Sequence, residues 1–443
     1  MLKLDSNLLK FNLSELVSSQ EGKLQAILQD LEKRSTDQND WLGWLALHND
    51  SKVYAEIQSY ADTVIKSNKF ENLIVLGIGG SALGPQALIQ ALHSPLWNEL
   101  SAEKRKNGLK VYFVDNVDPD WTHNLLNELN LEKSLFCVIT KSGGTAETIS
   151  AFLWAIDNLK KKIGNNWKDH LVLITDPEKG TLRAFANKEN VKSFAVPPNV
   201  GGRFSVFSAV GLLPLALTGI QIEKFKLGLV EAYKDLVKKK DNLNSNIAIS
   251  LACALIEADQ KLGKKINPLM PYSSHLGRIS DWYVQLVAES LGKTPQIGIT
   301  PIKAVGATDQ HSQLQLFAEG PLDKIIFFLK VTEFTHQFKV PETIIEGFAD
   351  LAGETLNRLI EAQQKGTAQA LAQKNVPSLT IEMSKINEEN LAYLLFTFQL
   401  MTAVAGSLYG IDAFNQPGVE LSKKYTYAFL GKAGYEQYLK DLK

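Results

Sequence analysis

Short apolar runs alternate with longer amphipathic runs through the first half of this chain. The pairs, in order along the chain, are 73–76 and 82–92, 110–114 and 121–129, 135–139 and 148–159, and 171–174 and 181–186. Continuous apolar runs of four to six residues are typical of strands buried on both faces, and the longer runs show helical spacing. The alternation therefore predicts βαβ units around a parallel sheet.

The alternation returns more weakly after residue 240. We expect helices at 246–262, 279–291, 343–364 and 388–409, and strands at 266–272, 325–331 and 379–382. We divide the chain into an N-terminal helical lead-in (1–40), a first α/β domain (41–218), a second α/β domain (219–410) and a C-terminal helical tail (411–443). The predicted fold class is α/β, with two domains built on mainly parallel sheets.

Length, charge and cysteine content exclude several classes of protein. The 443 residues allow two or three domains at roughly 150 residues each. Lys plus Arg (47) nearly equals Asp plus Glu (48), which argues against a nucleic-acid or polybasic membrane binder. Cys137 and Cys253 are the two cysteines, so we expect a reducing, cytoplasmic setting and no disulfides. The N-terminus lacks the apolar stretch of a signal peptide, and the run 209–220 is too short to cross a bilayer.

Two polar turns follow predicted strands in the first domain. Gly77-Ile-Gly-Gly-Ser81 and Thr140-Lys-Ser-Gly-Gly-Thr145 each stand between a strand and a helix, where backbone amides and hydroxyls suit an anion. Adjacent parallel strands bring such turns to one sheet edge, which predicts a phosphate site. The first turn also fits the small positions of a dinucleotide fingerprint, but the acid expected about 20 residues later is missing, and a turn without ligand remains open.

Several single residues are candidates for catalysis or binding, although their sequence patterns are less specific. Gln285 and Glu289 lie four apart on one predicted helix, so their side chains share a side. Arg203 follows two glycines in a loop, and His311 lies in a polar segment. Lys423 lies beside Lys424 near the start of the last helix. Solvated surface roles remain open for each, and the dispersed histidines argue against a metal site.

The order and the amino-acid sequences of these segments resemble those of the glucose-6-phosphate isomerase (phosphoglucose isomerase) family, in its short bacterial form. The most specific stretches are GIGGSALGP (77–85), GGRFS (201–205), VQLVAESLGK (284–293) and GVELSK (418–423). The resemblance covers about residue 40 to the C-terminus. It implies two sugar-isomerase (SIS) type three-layer αβα domains, a homodimer, and a reversible isomerisation of glucose 6-phosphate to fructose 6-phosphate in glycolysis and gluconeogenesis.

The resemblance also implies a role for each site residue. The phosphosugar would be held by Gly80, Ser81, Thr140, Lys141, Ser142, Thr145, Gln285 and Gln416, with Gly80 and Lys141 contributing backbone contacts. Glu289 would move the proton through a cis-enediolate, Arg203 would stabilise its charge, and Lys423 and His311 would assist ring opening. His311 would come from the partner subunit. No cofactor, metal, nucleic acid or membrane is implied.

The sequence departs from the family pattern in three places. Thr140 stands where serine is usual, Gly144 where a hydroxyl residue is common, and Ser422 where glycine is usual. The first two put the details of phosphate affinity in question rather than the reaction. Dual specificity for mannose 6-phosphate, a phosphosugar-binding module without activity, and a nucleotide-dependent dehydrogenase are the alternatives.

Overall fold

The computed structural model describes residues 2–342, 345, 347 and 349–440. Within these ranges the strands are β1 (Leu2–Asp5), β2 (Asn72–Leu76), β3 (Lys110–Val114), β4 (Ser134–Ile139), β5 (Leu171–Thr175), β6 (Ser193–Ala195), β7 (Ile266–Pro271), β8 (Thr300–Lys303), β9 (Ile326–Val331) and β10 (Ser378–Met383). The α-helices are α1 (Leu13–Ser19), α2 (Glu21–Arg34), α3 (Ser51–Lys66), α4 (Gly80–Leu92), α5 (Pro119–Glu128), α6 (Ala146–Ile163), α7 (Thr181–Glu189), α8 (Ala209–Leu217), α9 (Ile222–Tyr233), α10 (Ile247–Leu262), α11 (Gly277–Leu291), α12 (Leu314–Glu319), α13 (Leu356–Gln373), α14 (Glu388–Tyr409), α15 (Glu420–Phe429) and α16 (Gln437–Lys440).

The first sheet has the order β3-β2-β4-β5-β6, and all its strands are parallel. β2, β4 and β5 are buried along their whole length, as their unbroken apolar sequences require. Alternate side chains enter two cores: Ile74 and Phe136 pack with α6 and α7, whereas Leu73 and Cys137 face the central core. Helices therefore cover both faces of this sheet.

The second sheet has the order β1-β10-β9-β7-β8. Its strands are parallel except for β1, which pairs antiparallel with β10 at one edge. Met270 and Phe328 pack with residues of α12 and α13 on the outer face. Together with the first sheet, this arrangement confirms the predicted αβα fold class with mainly parallel sheets and a helical tail.

The N-terminal segment differs in part from its predicted helical character. Its residues 13–34 form α1 and α2, but the chain begins with β1, which completes the second sheet. A strand that pairs with residues 375 to 381 positions later leaves no local signal in the sequence. The predicted domain boundaries at 40, 218 and 410 stay predictions.

One predicted helix begins later than its sequence indicates. We expected a helix over 343–364, whereas α13 begins at Leu356 after the N-cap Thr355, whose hydroxyl accepts from the Arg358 amide. Gly347 and Gly353 adopt positive φ angles of 94° and 77°, which interrupt a helix before that point. Residues 343, 344, 346 and 348 of the expected helix lie outside the described residues.

Among the described residues, one helix meets the length and composition of a membrane span. α14 is 22 residues long and apolar enough to span a membrane by length and composition, yet 89% of its most apolar window is buried inside the molecule. It packs against α9, α10 and α11, so it is a core helix of this fold. α11 also packs against α4, and this contact joins the first turn to the second domain.

Candidate active site

The first polar turn connects β2 to α4 and is held tightly. Gly79 has a φ of 58°, a conformation that favours glycine. A Cβ atom on Gly80 would lie 2.2 Å from the carbonyl oxygen of Gly202, so the turn rests directly on the loop that carries Arg203. Ser81 lies in the first turn of α4, where free backbone amides favour an anion.

The second polar turn connects β4 to α6 and gathers three hydroxyl groups. The Thr140 and Thr145 hydroxyl oxygens are 3.0 Å apart, and Ser142 Oγ lies 3.4 Å from each. Thr145 is the N-cap residue of α6, so these hydroxyls meet a helix N-terminus. Because β2 and β4 are neighbouring parallel strands, both turns lie at the same sheet edge, as expected.

Arg203 is buried at 3% exposure and uses each of its three nitrogens as a donor. Nε donates to Ser290 Oγ at 2.7 Å, and the Nη2 group donates to the Ala413 and Asn415 carbonyls at 2.6 and 3.1 Å. Nη1 donates to Gln416 Oε1 at 2.9 Å. Burial lowers the pKa of Arg203, which nearby carboxylates partly offset, and a guanidinium remains charged throughout the ordinary pH range. The chain thus fixes a cation between α11 and residues 413–416.

Glu289 and Gln285 project from α11 toward this cation. Glu289 Oε2 lies 3.3 Å from Arg203 Nη1, and Glu289 Oε1 accepts from Gln285 Nε2 at 3.0 Å. The carboxylate side chain is 33% exposed, so it is oriented by two donors and still open to a ligand. Gln285 Nε2 also lies 3.0 Å from the position a Cβ would take on Gly79, which puts Gln285 beside the first turn. Its Oε1 is buried without a protein partner.

The site therefore unites Glu289, Gln285, Arg203 and Gln416 with the first turn. Sequence reasoning missed Ser290, whose hydroxyl orients the guanidinium, and Lys293. The Lys293 ammonium donates to the Glu289 carbonyl at 2.8 Å and to the Asn415 carbonyl, so it joins the end of α11 to residues 413–416. Burial lowers the pKa of Lys293. Lys293 ends the VQLVAESLGK stretch, which was the available signal for it.

Lys423 lies on the surface of α15 and does not contact the Glu289 carboxylate. Its ammonium is 2.7 Å from Glu420 Oε1 on the surface of α15, and this bond lowers the pKa of Glu420. Tyr427, one turn later on the same face, places its hydroxyl 3.4 Å from the Gly144 carbonyl oxygen. That face of α15 therefore looks toward the second turn. Lys424 lies instead over the Tyr438 ring, at 5.6 Å.

His311 does not contact the other described site residues. It is exposed at the end of the 3₁₀ turn Thr308–His311, after β8. Among the described residues, the hydrogen bonds and ion pairs of Glu289 and Arg203 do not involve it. The expectation that a partner subunit supplies His311 stays a prediction. Within the described ranges, no group of three His, Cys, Asp or Glu side chains could hold a metal ion.

The chain matches known proteins along most of its length. The family model of phosphoglucose isomerase matches residues 46–437. The chain is 44% identical to a glucose-6-phosphate isomerase of Carboxydothermus hydrogenoformans over 86% of this chain and 83% of that protein.

Solved structures agree with the sequence match. A hypothetical protein of Thermus thermophilus matches with a TM-score of 0.88 and 34% identity, over 98% of this chain and 100% of that one. A glucose-6-phosphate isomerase of Chlamydia trachomatis shares the fold at a TM-score of 0.79 and 20% identity, over 99% and 91% of the two chains. The family match covers every described strand except β1 and includes both Glu289 and Arg203, and the chain belongs to the phosphoglucose isomerase family.

Proposed function

We propose that this chain interconverts glucose 6-phosphate and fructose 6-phosphate by moving a proton between carbons 1 and 2 through a cis-enediolate. One observation carries the proposal: the Glu289 carboxylate is held 3.3 Å from the buried Arg203 cation and is bonded to Gln285, which lies against the first phosphate-type turn. An aldose–ketose isomerisation needs a base and a cation near the developing oxyanion. Glu289 and Arg203 provide both groups.

The two turns would bind the phosphate of the sugar. Ser81, Thr140, Ser142 and Thr145 supply hydroxyl donors, Gly80 supplies a backbone amide at the start of α4, and Lys141 supplies one within the second turn. A phosphate has several oxygens that need donors at once, and the three clustered hydroxyls of the second turn meet that need. The anchored phosphate fixes the position of the sugar chain relative to Glu289.

Glu289 would shuttle the proton. Its Oε1 is held by Gln285 and its Oε2 faces Arg203, so the carboxylate cannot rotate freely while it accepts and returns the proton. Arg203 Nη1 would stabilise the enediolate oxygen. The unpartnered Gln285 Oε1 and the side chain of Gln416 would orient the sugar hydroxyls.

Lys423 and His311 would open the sugar ring. Lys423 must exchange its Glu420 partner for the substrate, and Tyr427 on the same face of α15 lies 3.4 Å from the Gly144 carbonyl of the second turn. His311 would enter from the partner subunit of a homodimer, since it lies on the surface of its own chain. We also assign the enzyme to the cytoplasm, consistent with its two free, buried cysteines.

A coupled assay on fructose 6-phosphate tests the proposal. We expect glucose 6-phosphate to form, with activity unchanged by a chelator, and a much slower reaction of mannose 6-phosphate. Turnover of mannose 6-phosphate at a comparable rate would indicate dual specificity. Phosphosugar binding without turnover would indicate a binding module, and titration with NAD(H) or NADP(H) tests the dehydrogenase alternative.

A further inference from the structure

The side chain of Lys141 connects the second turn to the loop that carries Arg203. Its ammonium donates to the Pro198 carbonyl at 2.6 Å and to the Val200 carbonyl at 2.9 Å. These carbonyls belong to the residues just before Gly201-Gly202-Arg203. The family resemblance assigned to Lys141 only a backbone contact, so this side-chain bridge is a separate feature.

Trp41, from the N-terminal segment, covers this bridge. The Lys141 ammonium lies 4.3 Å from the centre of a Trp41 ring, within the range of a cation–π contact. The backbone next to Trp41 is fixed to the same loop, because the Gly43 amide donates to the Asn199 carbonyl at 3.0 Å and Leu42 forms an antiparallel bridge with Val200. Three parts of the chain thus meet at one lysine.

The position of this loop affects the placement of Arg203. Gly80 of the first turn rests on the Gly202 carbonyl and Lys141 of the second turn binds the Pro198 and Val200 carbonyls, so both turns contact the loop whose backbone carries Arg203. Catalysis is sensitive to such placement, since a displacement of about 1 Å can cost on the order of 10²-fold in rate. We propose that Lys141 and Trp41 form a latch that positions the 198–203 loop, and with it Arg203, beside the second turn.

The latch depends on the charge of Lys141. Burial lowers the pKa of Lys141 to about 8, and the nearby Asp176 acts in the opposite direction. Trp41 and the two carbonyl acceptors do not titrate. Above about pH 8 the amine keeps N–H donors but loses its attraction to the ring face and the charge assistance to both hydrogen bonds. The inference rests on the proposed function and adds a pH limit to it.

The test uses Lys141→Met, Lys141→Arg and Trp41→Leu, with Lys160→Met as the matched control. Lys160 also lies over a tryptophan, Trp167, at 4.8 Å, but it stands fourteen residues along α6, roughly 21 Å from the second turn. We expect Lys141→Met to lower kcat about 10- to 100-fold while the inhibition constant of inorganic phosphate changes less than about 3-fold. Trp41→Leu should add little in the Lys141→Met background.

The pH profile separates positioning from a structural role. We expect kcat of the wild type to fall above about pH 8 and this limb to move to higher pH in Lys141→Arg. A profile shared by wild type and Lys141→Arg would overturn the latch. An equal loss of kcat and phosphate affinity in Lys141→Met would also overturn it, because Lys141 would then be a phosphate ligand.

Amide hydrogen exchange tests the latch independently of activity. Lys141→Met should speed exchange at Gly43 and Val200 at least tenfold, whereas Lys160→Met should leave it unchanged. Equal exchange in both variants would contradict the latch even if the chain proved inactive on fructose 6-phosphate. Conversely, an inactive wild type with the expected exchange difference would refute the proposed function alone.

Discussion

Replacing Arg203 by lysine tests how far the site depends on the shape of one cation. Lysine keeps the positive charge but offers its donors from a single nitrogen, whereas the guanidinium donates in three directions. It therefore cannot reach Ser290 Oγ on α11 and the Ala413 and Asn415 carbonyls at the same time.

The size of the effect follows from the contacts that are lost. Hydrogen bonds from a charged donor contribute about 1.5–3 kcal/mol each, and disrupting a buried charged pair costs about 3–5 kcal/mol. Three bonds of Arg203 cannot be replaced together, so we expect Arg203→Lys to lower the free energy of unfolding by about 3–5 kcal/mol. The displaced charge should lower kcat about 10²- to 10³-fold, the usual cost of losing an oxyanion donor.

Urea unfolding and steady-state kinetics at pH 7 measure both quantities. Ser290→Ala is the matched control, because it leaves Arg203 in place and removes the acceptor of one N–H group only. We expect Ser290→Ala to cost about 1–3 kcal/mol of stability and to lower kcat far less than Arg203→Lys does. If Arg203→Lys keeps stability within about 1 kcal/mol and kcat within threefold, the guanidinium geometry is not what this site requires.

Two further predictions concern α15 and the acid limit of stability. Lys423→Ala should lower kcat by about 10²-fold by removing an acid/base group. Lys424→Ala, which loses a contact with the Tyr438 ring, should stay near wild type. Equal effects of the two substitutions would remove Lys423 from ring opening. Burial lowers the pKa of His93 to about 4 from 6.5, so the unfolded chain binds a proton across that window that the folded chain does not. The free energy of unfolding should therefore fall as the pH drops from about 6.5 to 4, by at most about 3 kcal/mol. His93→Gln should make this fall with pH less steep in urea titrations. An unchanged pH dependence would contradict the lowered pKa of His93.

The sequence predicted the first sheet and its polar turns well for a local reason. Buried parallel strands have unbroken apolar sequences, and the sequences of β2, β4 and β5 each follow this pattern. Both turns follow their strands directly, so their meeting at one edge needed only the parallel arrangement. The family resemblance was likewise confirmed by the match over residues 46–437.

The features that sequence reasoning missed depend on distant contacts. β1 is a strand because it pairs with β10, and the late start of α13 depends on glycine conformations that helical spacing does not reveal. The Lys141–Trp41 contact joins residues 100 positions apart, and the Trp41 segment carried no chemical signal of its own. The role of His311 needs a second subunit, so it stays a prediction.

The account depends most on Glu289 as the group that moves the proton. Glu289→Gln keeps the size of the side chain, and its amide can still face Arg203 and Gln285, but it cannot accept a proton. The direct measurement is deuterium incorporation into fructose 6-phosphate in D₂O, followed by NMR, for wild type and Glu289→Gln at equal enzyme concentration. We expect exchange at carbon 1 in the wild type and a loss of at least about 10²-fold in the variant, with inorganic phosphate still bound. Exchange by Glu289→Gln at the wild-type rate would contradict the central claim.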